Sequence, residues 1–147
     1  MPGAREPLGS SDSASPDEWL ARAKSSLLVA RQPKPEGAYW EDLCFLAAQA
    51  AEKALKAVLI SRGIPFTEAH TIGMATDLLP EDLELPGEVR EAAKLNDFVA
   101  IMENPGDYPP VSADEYREAI RLAQAVVSWA EEVLAERGAE GSPTDSG

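Results

Sequence analysis

The chain has 147 residues, with 26 Asp plus Glu against 13 Lys plus Arg, which gives a formal net charge of -13 and a pI near 4.4. That acidity excludes a globally basic nucleic-acid binder, whose affinity comes from Lys and Arg neutralising phosphates, so nucleic acid is not an expected partner. The single cysteine, Cys44, excludes an internal disulfide and any two-thiolate metal site, and the single histidine, His70, excludes zinc sites that need two imidazoles. One domain of this length can bury roughly 70% of its unfolded surface in a single core. The first residues have no apolar stretch, and no run approaches the roughly 18 apolar residues of a membrane span. Neither a signal peptide nor membrane association is expected, and the expected location is the cytoplasm.

Residues 1 to 15 and 138 to 147 are rich in Gly, Pro, Ser and Asp with few large apolar side chains, and both are expected to be disordered tails. Residues 16 to 137 read as helix throughout, with no apolar and polar alternation long enough for a strand. The first helix opens at Ser15-Pro16-Asp17-Glu18, a capping box with Pro at the first helical position, and carries Trp19, Leu20, Ala23, Leu27 and Ala30 on one face. Pro33, Pro35 and Gly37 end it. The second, about Ala38 to Arg62, has a broad apolar face that includes Leu43, Cys44, Ala47, Ala50, Ala51, Ala54, Leu55, Val58 and Leu59, and Gly63 stops it. Its many alanines predict close approach of a neighbour, which makes this helix the expected centre of the fold.

A short helix around Thr71 to Leu79 follows, then one from about Gly87 to Met102, closed by the Pro-Gly-Asp-Tyr-Pro-Pro loop at 105 to 110. The last helix begins at the capping box Ser112-Ala113-Asp114-Glu115 and carries its stripe from Tyr116 to Leu134, ending at Gly138. Short connections favour antiparallel neighbours, so the expected fold is all-α, an up-and-down bundle of four main helices plus one short helix. Charge is uneven along it. Residues 22 to 62 hold seven Lys or Arg against four acids, whereas residues 77 to 118 hold three against twelve. The basic excess is either the solvated outside of the first two helices or a binding surface.

The run from Trp40 to His70, WEDLCFLAAQAAEKALKAVLISRGIPFTEAH, resembles the HEPN domain family. The family's second helix reads as an aromatic, Cys-Phe, Ala-Gln-Gln-Ala-Ala-Glu-Lys-Ala-Leu-Lys-Ala, then Gly and a Thr-His or similar before a short Leu-rich helix. Cys44, Phe45, Ala47, Gln49, Ala50, Ala51, Glu52, Lys53, Ala54, Leu55, Lys56, Ala57, Gly63 and His70 follow that pattern in order. Pro105 to Tyr108 and Trp129 to Glu132 are similar to the family's closing loop and last helix. The resemblance implies a helical bundle, often a homodimer, commonly paired with a minimal nucleotidyltransferase in prokaryotic toxin-antitoxin or defence systems. Some branches are metal-independent ribonuclease toxins that use an Arg followed after four to six residues by a His. Here Arg62 lies eight residues before His70, so that signature is absent. Where the family has Arg-Tyr-Pro before the last loop, this chain has Glu103-Asn104-Pro105, and an acidic side chain there repels phosphate.

Gln49, Glu52, Lys53 and Lys56 are the matched residues whose polarity packing does not require, and with His70 they are the candidate ligand- or partner-binding residues. The alternative for this stripe is a Glu52 to Lys56 pair at four-residue spacing with Lys53 in solvent. His70 is either a proton donor near a bound nucleotide or a backbone-bonding residue at a helix entrance. Cys44 reads as a buried small apolar side chain rather than a nucleophile. The pairs Glu81 with Glu84 and Asp114 with Glu118 read as solvated carboxylates, because no Glu-x-x-His pattern joins them to make a di-iron site. Trp19, Trp40, Tyr116 and Trp129 are expected in the core, although Tyr39 and Trp40 at a helix start could line a groove. The expected function is a non-catalytic binding module, homodimeric, that binds a nucleotide or a partner minimal nucleotidyltransferase. No cofactor or metal is expected. The alternatives are a ribonuclease toxin and a purely structural homo-oligomer.

Overall fold

The computed structural model describes residues 14–66 and 71–140, with side chains described to residue 136. Residues 1 to 13 and 141 to 147 of the expected tails, and the candidate His70, lie outside the described residues. Among those described there is helix and no strand.

Helix α1 spans Pro16–Ala30, and the Ser15 hydroxyl accepts the Glu18 backbone N–H at 3.1 Å, which satisfies one of the donors a helix start leaves open. Helix α2 spans Trp40–Ser61 and ends at Gly63, whose φ of 74° lies in the left-handed region where a Cβ is strained. Helix α3, Ile72–Asp77, is capped by the Thr71 hydroxyl, which accepts the Met74 N–H at 3.1 Å. Helix α6, Ala113–Glu140, starts on a reciprocal box in which Ser112 Oγ accepts from Glu115 N at 3.1 Å and Glu115 Oε1 accepts from Ser112 N at 2.9 Å. It continues past Gly138, where the sequence predicts its end. A glycine costs a helix interior only about 1 kcal/mol relative to alanine and does not by itself stop one.

The one helix expected from Gly87 to Met102 is three pieces. Helix α4, Gly87–Glu91, passes into a 3-10 turn at Ala92–Leu95 and then into α5, Asn96–Glu103. Val89, Ala92 and Leu95 are each buried and lie three residues apart. A 3-10 turn stacks side chains at that interval, whereas an α-helix of 3.6 residues per turn would rotate the third away from the core. After the turn α5 holds no buried residue.

Helix α2 is the centre of the bundle and packs most extensively against α1 and α6, with α3 and α5 on its remaining sides. Ala47, Ala50, Ala51 and Ala54 are fully buried, and Leu55, Val58 and Leu59 fill the space beside them. Polar ties fix the neighbours. The Tyr116 hydroxyl of α6 donates to Ala30 O at 2.7 Å, and the Tyr116 ring lies 4.7 Å from that of Trp40. Trp129 Nε1 donates to Glu84 O at 3.1 Å, which holds the segment before α4 onto α6. Of the four aromatics expected inside, Trp129 is buried, while Trp19, Trp40 and Tyr116 are half-buried against the core.

Candidate functional site

The polar stripe of α2 lies along its seam with α1. Gln49, Glu52, Lys53 and Lys56 are all half-buried. Lys53 Nζ donates to Ser26 Oγ of α1 at 2.9 Å, and Ser26 is itself buried. Lys56 Nζ sits 4.0 Å from the centre of the Trp19 ring and 5.6 Å from that of Phe66, a cation held over aromatic faces. The two lysines therefore bridge α2 to its surroundings, their stems covering apolar surface. The structure brings these four candidates together.

Other basic side chains are occupied in the same way. Arg22 pairs with Glu18 at 2.8 Å, Lys24 with Glu131 at 2.6 Å and Arg62 with Asp82 at 3.5 Å. Arg31 donates to Gln124 Oε1 and Lys34 to Ala38 O. Lys94 pairs with Glu91 and Arg117 with Asp114. Arg121 meets Glu118 with two hydrogen bonds at 2.7 and 3.0 Å and reaches Glu91 at 3.6 Å, and these bonds hold the Glu118 carboxyl below its ordinary range. Among the described residues, Arg90 alone of the Lys and Arg side chains has no partner. The described basic side chains of residues 22 to 62 thus each have a partner within the chain, acidic for Arg22, Lys24 and Arg62 and uncharged for Arg31, Lys34, Lys53 and Lys56. The described Cys, Asp and Glu residues make no cluster able to hold a metal.

Cys44 is fully buried on α2, and burial, with Glu115 and Glu41 adding negative charge nearby, pushes its thiol up to about 12. A thiolate nucleophile is ruled out at neutral pH. Iodoacetamide will leave Cys44 unmodified in the native chain at pH 8 and modify it in denaturant, as read by mass spectrometry. Because the fold keeps the thiol neutral, stability falls as pH rises above the unfolded value of about 8.5 and keeps falling towards about 12. That part of the decline will be missing from Cys44→Ala.

Three of the clefts among the described residues border α5 or the ends of α2. One of about 360 Å³ lies between α5 and α6 and is bordered by Phe98, Glu118 and Leu122. One of about 800 Å³ between the α2 end and α6 is bordered by Arg62, Asp82, Trp129, Glu132 and Glu136. The third, about 520 Å³, runs between the start of α2 and the end of α5 with the loop after it, and is lined by Tyr39, Glu41, Asp42, Ile101, Met102, Pro105, Gly106, Tyr108 and Pro110. Of Tyr39 and Trp40, both of which the sequence offers as groove residues, Tyr39 lines this one. Trp40 instead stacks on Tyr116, with Lys34 Nζ 5.3 Å from its ring centre. Met102 and Tyr108 carried no sequence signal beyond the Pro-Gly-Asp-Tyr loop itself.

This helical bundle, with its alanine-faced second helix, short third helix and long last one, is the architecture that the resemblance to the HEPN family implies. Residues 16–133 match the family model described as HEPN domain, and the chain belongs to that family. The crystal structure of TT1696 from Thermus thermophilus is similar, with a TM-score of 0.69 and 34% identity over 80% of this chain and 97% of that one. So is that of ST0689, an archaeal HEPN homologue, with a TM-score of 0.62 and 26% identity over 82% of this chain and 98% of the other. None of the curated proteins compared with the chain matches it. No helix among the described residues is long and apolar enough to cross a membrane.

Proposed function

We propose that this HEPN chain is a non-catalytic binding module that acts as a homodimer and pairs with another protein, a minimal nucleotidyltransferase of a toxin-antitoxin or defence-type pair being the class the family suggests. The observation that carries the reading is the state of its cations: the described Lys and Arg side chains other than Arg90 are engaged within the chain, while large apolar side chains stand exposed. A phosphate site needs donors aimed outward, and a protein interface needs apolar surface with few free charges at its centre. Gln49, Glu52, Lys53 and Lys56 act in this reading as the rim of the partner contact along the α1 and α2 seam, and His70, outside the described residues, is a further candidate. The spacing of Arg62 and His70 supports the absence of ribonuclease chemistry.

Copurification of the tagged chain from its native host tests the proposal. Recovery of a small nucleotidyltransferase is the expected result, and recovery of the homodimer alone would overturn the partner half. Calorimetry with ATP and GTP at millimolar concentration is expected to show no heat, and strong binding would move the assignment to a nucleotide. Toxicity of the chain in bacteria, abolished by His70→Ala, would favour the ribonuclease.

A further inference from the structure

We infer that the 520 Å³ groove between α2 and α5 takes a short segment of a protein partner that carries a Lys or Arg beside an apolar side chain. The inference rests on the binding-module reading above and adds to the seam contact a second one, at the start of α2.

Three large apolar side chains come together here in the open: Tyr39 is 72% exposed, Tyr108 46% and Met102 37%. The remaining exposed ones lie elsewhere, Leu28 and Val29 on α1, Met74 on α3 and Leu78 just after it. A grouped exposed apolar surface framed by polar residues marks an interaction site more often than scattered single residues do. The groove's charge is of one sign. Glu41 and Asp42 line it, Glu103 and Asp107 stand on the segments beside it, and no Lys or Arg lines it. Glu41 Oε2 accepts from Val111 N at 3.4 Å, and the Asp42 carboxylate has no partner among the described residues.

Tyrosine faces next to carboxylates suit a basic side chain on both counts. The ring attracts the cation and covers its aliphatic stem, and the carboxylate accepts a charge-assisted hydrogen bond from its head. The same carboxylates repel a phosphate. The volume of about 520 Å³ lies in the ordinary range of small-ligand sites, room for a few side chains. A short segment is the matching occupant, and Met102 with Ile101 gives apolar lining for the neighbouring side chain.

The test uses the full chain and two labelled hexapeptides, Gly-Lys-Leu-Arg-Pro-Gly and the same peptide with Glu in place of Lys and Arg, read by fluorescence anisotropy. The expected result is saturable binding of the basic peptide only, weakened tenfold or more by Asp42→Lys and by Tyr108→Ala, both at exposed positions. Asp42→Asn removes the charge without reversing it and will give a smaller loss in the same direction. Equal binding of the two peptides, no binding of either, or unchanged affinity in Asp42→Lys overturns the inference. So does a result in which these variants split a homodimer and leave peptide binding alone, because the groove is then filled by a second copy. Copurification separates this failure from that of the wider reading. A partner recovered equally with wild type and Asp42→Lys removes the groove and leaves the module, whereas no partner with wild type removes the module.

Discussion

Leu55→Ala will lower the stability of the bundle by about 2–5 kcal/mol and its thermal midpoint by roughly 10 °C. Leu55 is fully buried at the middle of α2, beside Ala51 and Ala54 and in the same layer as Val58 and Leu59. The size of the effect depends on whether neighbours can move into the vacated space. Urea unfolding followed by circular dichroism checks it, with Leu28→Ala as the comparison. Leu28 is 64% exposed on α1, and its truncation will shift the midpoint little.

The second large effect is at Tyr116. Its hydroxyl donates to Ala30 O at 2.7 Å, its ring stacks on Trp40, and burial pushes the phenol above its ordinary range so that it remains a donor. Tyr116→Phe leaves the carbonyl of the fully buried Ala30 without that donor and will cost about 1–3 kcal/mol. Tyr116→Ala also removes the ring and will cost about 3–5 kcal/mol. Tyr116→Ala combined with Trp40→Ala will destabilise less than the sum of the two, with a coupling of about 0.5–1.5 kcal/mol for the aromatic pair. Chemical denaturation of the four chains measures it. Equal costs for the Phe and Ala variants would place the whole effect in the hydroxyl and none in the stack.

The helices were legible because local chemistry and tertiary packing agree at their ends. Ser15 and Ser112 each satisfy a helix start with their own side chain, and Gly63 takes a backbone conformation other residues resist. The alanine face of α2 was readable for the same reason: its period and its burial coincide. The break at Ala92–Leu95 was not. Ala, Ala, Lys and Leu are all good α-helix formers, and only the need to bury Val89, Ala92 and Leu95 in one line explains the tighter turn. At the candidate site, the polarity of Gln49, Glu52, Lys53 and Lys56 was visible, but Ser26 as the partner of Lys53 and Trp19 as the seat of Lys56 lie on another helix. The sequence counts charges, and only the fold shows which of them already face one another. The groove was half legible through Tyr39. Its other wall depended on where α5 comes to lie after the 3-10 turn.

That turn leaves α5 with no buried residue, and this makes the two sides of the groove mechanically unequal. The α2 side is anchored to the most deeply buried helix of the molecule. The α5 side belongs to an eight-residue helix held by half-buried contacts from Phe98, Val99 and Ile101, and segments with so little buried surface open at a small fraction of the global unfolding free energy. For the segment proposed to enter this groove, shape is accommodated on the α5 side, while Glu41 and Asp42 at the start of α2 select its charge.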